Sequence, residues 1–319
     1  MRVELPELER LLREAPPSTT AAGGSAANTL RGLAAGFAVK CGVLGAIGGD
    51  EWGHRFRTSL QNAGVDTSRL QVDETRSTGR CAVLITPDGQ RTMRTALAGS
   101  ASLQPASLRA AAMSFEGVSW VSVTAFAYYC EGLVDAVVQL TRAAGAKLIL
   151  HLAAKEVVRT FDAQLNALLE SGAVSLVFAN EDEAAQYMRG RRMPTDPGAS
   201  ARLACARTRG AGPSRARSPS HRTADSAVRH LATLCETAVV TVGARGCLAM
   251  RGDTLVHEPA VADVRCLDST GAGDLFAAGF MFAMLNDLAL SACVRLGCLS
   301  GAAVIQARLL ARLRCSARL

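Results

Sequence analysis

Short apolar runs that recur between helix-length segments constrain this chain more than any other feature. VKCGVLGAI (39–47), VSWVSVT (118–124), KLILHL (147–152), VSLVFA (174–179) and TAVVTV (237–242) lack the strict polar alternation of a strand with one wet face. Residues 26–37, 51–63, 131–144, 181–190, 225–235, 273–286 and 291–306 read as helices. Strands that are apolar on both sides must be covered on both sides. The alternation therefore predicts an α/β fold with a mostly parallel sheet between helical layers. Ala, Gly, Leu and Val dominate while aromatics make up 4%, which suits close helix-on-sheet packing better than a stacking surface for bases.

Three stretches break the alternation. CAVLIT, Pro87-Asp88-Gly89 and QRTMRTAL (79–97) predict a hairpin standing apart from the main sheet, in the manner of a lid. GCLAM and LVHEP, joined by RGDT, predict a second hairpin at 246–259. Residues 195–224 are rich in Arg, Ser, Pro, Ala and Gly without apolar periodicity, a composition expected of a disordered basic insert. The opening stretch MRVELPELERLLREAPP reads as a helix.

The net charge of +7 does not mark a nucleic-acid surface. Six arginines lie between Arg202 and Arg222, and Arg308, Arg312, Arg314 and Arg318 follow at the end; without these two segments the body is mildly acidic. The ten cysteines include no C-x-x-C pair and sit in apolar contexts, so they read as small core residues of a reducing compartment; the five histidines are dispersed and predict no zinc site. No apolar run is long enough for a membrane span and the N-terminus has no signal-peptide pattern. The expectation is a cytoplasmic protein, or an organellar one if a leader is missing, with no nucleic-acid or membrane partner, working as a monomer or homodimer.

The chemistry concentrates in CLDSTGAGDLFAAGF (266–280). Gly271 and Gly273 allow a tight turn, and the helix that starts there aims N–H groups outward, which makes an anion site. Asp274 has two meanings in that place. It is a carboxylate complementing the helix dipole, or a base beside a bound phosphate. Asp268 and Thr270 add a second carboxylate and a hydroxyl. Neither a P-loop nor a dinucleotide fingerprint is present, since Phe276 stands where the third glycine belongs. GGSAANTLRGLA (23–34) opens another helix after two glycines, with Asn28 one turn in, and GAIGGDEWG (45–53) puts Asp50 at a strand-to-helix junction.

Together these stretches resemble the PfkB family of carbohydrate and nucleoside kinases, with their ribokinase-like fold. GGSAANT is similar to the family's G-G-x-x-x-N, GAIGGDEWG to G-x-x-G-x-D-x-x-G, ANEDEA to N-x-x-E, TVGARG to T-x-G-x-x-G, and DSTGAGDLF to D-[ST]-x-G-A-G-D-x-F, in family order. The resemblance implies a three-layer α/β/α sandwich of one domain with the 79–97 hairpin as its lid. It implies ATP and Mg²⁺, and leaves open a monovalent cation such as K⁺. Asp274 corresponds to the family's general base, and the backbone of Gly271, Ala272 and Gly273 to its anion hole. Asn180, Thr241, Gly243 and Gly246 fall where the nucleotide binds, Asn180 and Glu183 where Mg²⁺ is organised through water, and Gly24, Asn28 and Asp50 where the acceptor is held. The wording of 24–50 is closest to adenosine-kinase-like members, so the expected acceptor is the hydroxymethyl group of a nucleoside, or of a sugar.

The chain departs from the family pattern at both ends and in the middle. Gly23 arrives early, so the family's first strand and its Asp are expected to be absent; His151 stands where the family commonly has Asp; and RLLARLRCSARL replaces the usual C-terminal segment. These departures keep a second reading alive: a pseudokinase that binds nucleotide or sugar as a regulatory protein.

Overall fold

In the computed structural model, which describes residues 2–15, 19–86, 91–110, 115–191 and 219–306, four of the five apolar runs form strands of one central sheet, and the run at 39–47 contributes to a separate one. The chain runs α1 (Leu5–Glu14), α2 (Ser25–Arg31), β1 (Gly45–Gly48), α3 (Glu51–Asn62), β2 (Leu70–Asp73), β3 (Arg80–Ile85), β4 (Arg91–Ala96), α4 (Pro105–Ala110) and β5 (Trp120–Thr124). It continues through α5 (Leu133–Ala143), β6 (Lys147–His151), α6 (Lys155–Thr160), α7 (Asp162–Glu170), β7 (Val174–Asn180), α8 (Glu181–Tyr187) and α9 (Pro219–Leu231). It ends in β8 (Thr237–Thr241), β9 (Cys247–Arg251), β10 (Thr254–Glu258), α10 (Ala272–Leu285) and α11 (Leu290–Ile305). The basic stretch at 195–224 lies outside the described residues up to 218, as do Pro87-Asp88-Gly89 and the tail from 307.

The central sheet has six strands in the order β10-β9-β8-β7-β6-β5. β5 to β8 are parallel, and β9 and β10 turn back antiparallel as the predicted second hairpin. Each strand divides its side chains between two helical layers, because successive residues point to opposite faces. Leu148, Leu150, Val177, Ala238 and Val240 pack against Val134, Val158, Leu169, Tyr187 and Leu231 of α5 to α9. Ile149, Leu176, Phe178, Val239 and Ala249 pack against Phe276, Phe280 and Met281 of α10, Cys293 and Val294 of α11, and Leu33 just past α2. The resulting α/β/α sandwich agrees with the sequence reading.

Glycines set how closely the second layer packs. A Cβ on Gly279 would meet the Leu296 carbonyl at 2.7 Å, and one on Gly297 would meet the Phe276 ring at 2.8 Å, so α10 and α11 lie nearly backbone to backbone. Gly32 does the same between the end of α2 and α10, where a Cβ would meet Leu275 at 2.7 Å and Ala278 at 2.9 Å. This contact brings the start of α2 beside the start of α10.

The run at 39–47 forms a strand only over Gly45–Gly48. Further up, Gly42 makes an isolated bridge to Asp66, with Val43 N donating to Asp66 O and Asp66 N to Cys41 O. β1 pairs in parallel with β2, which was not foreseen because LQVD is short and mixed in character. α4, α6 and α7 were also not foreseen; the last two are split by Phe161 at φ −113° and ψ 31°, which interrupts a single helical period. β1 and β5 face one apolar cluster through Ala46 and Val121 but belong to separate sheets, and among the described residues no strand pairs with both.

The predicted hairpin forms as β3 and β4, a two-stranded sheet apart from the others. Two strands alone are marginal in water. α1 supports them: Val3, Leu8 and Ala96 form a small core, Val3 N donates to Thr95 O at 3.0 Å, and Arg80 pairs with Glu9 at 2.5 Å. The cysteines only partly follow expectation. Cys247 and Cys293 are buried but Cys81 and Cys266 are exposed, and the described cysteines are free thiols. Among the described residues no His, Cys, Asp and Glu cluster suits a metal, and no helix is long and apolar enough to cross a membrane.

Candidate active site

The glycine turn and the helix after it form as the motif predicts. Gly271 caps α10 in the left-handed region at φ 78°, a conformation that favours glycine. Asp268, itself buried, accepts from Thr270 N at 2.8 Å and fixes the approach, while Leu267 N is tied to Ile305 O of α11 at 2.8 Å. Ala272 N turns back to Ser269 O at 3.3 Å, a long bond, and a Cβ on Gly273 would meet nothing within 4 Å. Open space therefore stands in front of a helix N-terminus, where the dipole and the first-turn N–H groups favour an anion.

Asp274 sits in that first turn and is gripped by α2. Ser25 Oγ donates to Oδ1 at 2.5 Å, Asn28 Nδ2 donates to Oδ2 at 2.7 Å, and Thr29 Oγ1 donates to the Asp274 carbonyl at 3.2 Å. Arg31 stands behind Asn28. Its guanidinium donates to Asn28 Oδ1, to Ala22 O at 2.7 Å and to Ser59 Oγ of α3 at 3.0 Å. Burial lowers the Arg31 pKa from its ordinary value, and the negative charge of Asp274 pulls it the other way, so the two groups feel each other across the amide. Ser25 and Arg31 were not singled out from the sequence. Their signal was spacing, since each lies three residues from Asn28 and so shares its helix face.

A second group gathers at the C-terminal ends of β7 and β8, where Asn180 and Thr241 are register partners. Asn180 and Glu183 make a capping box on α8: Asn180 Oδ1 accepts from Glu183 N at 2.9 Å, while Glu183 accepts from Asn180 N at 2.9 Å and Asn180 Nδ2 at 2.7 Å. Burial raises the Glu183 pKa to about 7 against the opposing backbone bond. Both carboxylate oxygens are thus engaged, so the donor set suits a cation that keeps its own waters rather than direct ligation. Gly243 (φ 58°) and Gly246 (φ 94°) bracket a tight turn, and a Cβ on Gly246 would strike Ala260 N at 2.6 Å. Arg245 in this turn pairs with Glu181 at the start of α8, tying the two loops together.

Asp50 is used differently. Its Oδ1 accepts from Gly53 N at 2.9 Å and Thr78 Oγ1 at 2.5 Å, and Oδ2 accepts from Thr78 N at 2.9 Å, capping α3 and fastening it to the strand that enters the hairpin. Burial opposes its ionisation, but the Thr78 and Gly53 bonds hold the pKa below its ordinary value. The structure brings Asn28 to Asp274, with Gly24 at the cap of the same helix, and places Asp50 at the start of α3.

His151, at the end of β6, accepts or donates across 3.1 Å to Ser122 Oγ and stacks on Phe178 with ring centroids 4.9 Å apart. Phe178 in turn meets Phe276 and Phe280 of α10 edge-on. Burial lowers the His151 pKa to about 4, so the ring is neutral near pH 7.

Known proteins with this pattern are phosphotransferases. The pfkB family carbohydrate kinase pattern matches residues 4–312. An adenosine kinase from Schizophyllum commune is 28% identical over 279 residues, 84% of this chain and 74% of that protein. A fructokinase from Salmonella typhimurium is 34% identical over 99 residues, 31% of this chain, so the match spans only 30% of that protein's length. The crystal structure of a probable sugar kinase protein from Rhizobium etli CFN 42 superposes with a TM-score of 0.80 at 25% identity, covering 96% of this chain and 83% of that one.

Proposed function

This chain belongs to the pfkB family of carbohydrate kinases, with the ribokinase-like α/β fold and the phosphotransferase chemistry of that family, and on that premise we propose that it moves the γ-phosphate of ATP to the hydroxymethyl group of an adenosine-like nucleoside or of a sugar. Residues 1–319 act as one kinase domain in this reading. Asp274 takes the proton of the attacking hydroxyl, and the amides of Gly271, Ala272 and Gly273 stabilise the charge on the phosphoryl group in flight. The observation that carries this reading is that Asp274 Oδ1 already accepts a hydrogen bond from an alcohol, Ser25 Oγ, at the mouth of a helix N-terminus. Gly24 and Asn28 hold the acceptor. Asp50 serves it indirectly, by fixing the strand that leads to the hairpin.

The nucleotide lies between the glycine turn and the Thr241 to Gly246 turn. A cavity of about 230 Å³ lined by Glu258, Pro259, Val261, Arg295 and Cys298 adjoins the second of these turns, since Gly246 packs on residues 258–260. It is below the usual volume of a whole ligand site, roughly 300 Å³ and upward, and fits one part of a ligand such as a nucleobase. Mg²⁺ held through water by Asn180 and Glu183 would neutralise phosphate oxygens. The β3–β4 hairpin carries Val83, Ile85 and Met93 on the face away from α1, with Ile85 46% and Met93 39% exposed, and offers that apolar face for closing over the acceptor and excluding water.

Purified protein given Mg-ATP and a panel of nucleosides and sugars, beside Asp274→Asn, tests the proposal. Turnover that the substitution abolishes is the expected result. Nucleotide binding with no turnover of any acceptor would replace the kinase by a regulatory pseudokinase.

A further inference from the structure

Ser25 presents a primary alcohol to Asp274 in the way an acceptor's hydroxymethyl group would. The 2.5 Å separation lies in the range of a hydrogen bond from a hydroxyl to an ionised carboxylate. Ser25 is also held there: Asn28 of the same helix takes the other carboxylate oxygen, Thr29 fixes the Asp274 backbone, and the Gly32 contact locks α2 against α10. A nucleophile within hydrogen-bond reach of a base, with anion-binding amides in the same turn as the base, is the arrangement that covalent group transfer requires. Ser25 is half-buried rather than sealed, and Gly23 and Gly24 just before it are exposed.

We propose that Ser25 is a phosphorylation site served by the chain's own active centre, which modifies itself when no acceptor is present. The inference rests on the kinase reading above. Ser25 Oγ forms a bond to the γ-phosphorus of ATP as the bond from that phosphorus to the β,γ-bridging oxygen breaks. ADP leaves with the electron pair, and the Ser25 proton passes to Asp274 Oδ1. The product is self-limiting, because phosphoserine puts close to two negative charges against Asp274 and on the anion site, which repels both the base and the next nucleotide. A small-molecule acceptor must take the place of the Ser25 hydroxyl to reach Asp274, so acceptor and self-modification exclude each other.

The experiment incubates the wild-type chain with Mg-ATP, with and without a saturating acceptor, and reads the Ser25 peptide by mass spectrometry. Ser25→Ala, Ser25→Thr and Asp274→Asn are run alongside, and acceptor turnover is measured on the same preparations. The expected result is phosphate on Ser25 of the wild type without acceptor, loss of that signal with acceptor present or in Asp274→Asn, and a parallel decline of kinase activity in the preincubated enzyme. A wild type that phosphorylates an acceptor but leaves Ser25 bare, or that carries phosphate elsewhere, overturns this inference and leaves the kinase reading intact. A wild type that modifies neither an acceptor nor Ser25 overturns both. The wild-type measurement decides the matter even where a Ser25 variant fails to fold.

Discussion

An asparagine amide has one donating end and one accepting end, and at Asn28 it is Arg31 that sets which end meets Asp274. A guanidinium can only donate, so it takes Oδ1 and leaves Nδ2 for the carboxylate. Arg31→Ala is expected to free the amide and lower kcat/KM by about 10- to 100-fold, the scale of a small misplacement in an active site. Arg31→Lys restores part of it. Because donors and a nearby cation favour the ionised carboxylate, the acid limb of kcat/KM against pH moves upward in Arg31→Ala. A limb that stays in place would leave Arg31 a purely structural residue. His151 gives a second prediction, for stability. The folded ring resists protonation until about pH 4, whereas the unfolded ring binds a proton near its ordinary 6.5. Stability from this residue is therefore complete above 6.5 and drains away as pH falls toward 4. Denaturant midpoints at pH 5 and pH 7 should differ less in His151→Asn than in the wild type.

At the scale of elements, the capping box on α8 and the close approach of α2 to α10 can each be broken separately. The Glu183 carboxyl titrates near 7 when folded and near 4.5 when unfolded, so its contribution is present below 4.5 and lost as pH rises through 7. Glu183→Gln removes the buried charge and keeps one acceptor for Asn180, losing the second bond because its amide nitrogen can only donate. It is expected to raise the unfolding midpoint at pH 8 while lowering Mg-dependent turnover, measured on one preparation. Gly32→Ala acts on the other element. Its Cβ would be driven into Leu275 and Ala278, which costs about 1 to 3 kcal/mol of overpacking and moves Ser25 and Asn28 off Asp274. Thermal unfolding together with kcat tests both halves, and a variant as stable and as active as the wild type would show that α2 has slack.

For the whole molecule, protection should follow the layering. β7 and β8 lie inside the central sheet, flanked by both apolar clusters, while among the described residues β1–β2 and β3–β4 are two-stranded and β5 is the last strand of its sheet. Native-state hydrogen exchange is expected to open the hairpin and the β1–β2 pair well before β7 and β8. Uniform protection across all three sheets would mean that they unfold as one unit.

The apolar runs and the glycine signatures were legible in the sequence because each answers to a local rule: side-chain alternation for buried strands, positive φ at Gly271, a cap at Asn180. The helix split at Phe161, the short β2 and the truncation of 39–47 were not, because they depend on which distant segment supplies hydrogen bonds, as Asp66 does for Cys41 and Val43. The same division runs through the site. The sequence by itself determined that an acidic residue would open a helix behind a glycine turn, and that Asn28 and Asn180 would stand near other helix starts. Tertiary structure alone decided that Ser25 and Asn28, some 250 residues away along the chain, close on Asp274, because a Cβ-free contact at Gly32 lets two helices meet. It also decided that half-buried Asp50 and buried Glu183 spend their oxygens on caps, since a carboxylate withdrawn from water takes whatever donors the fold brings within reach.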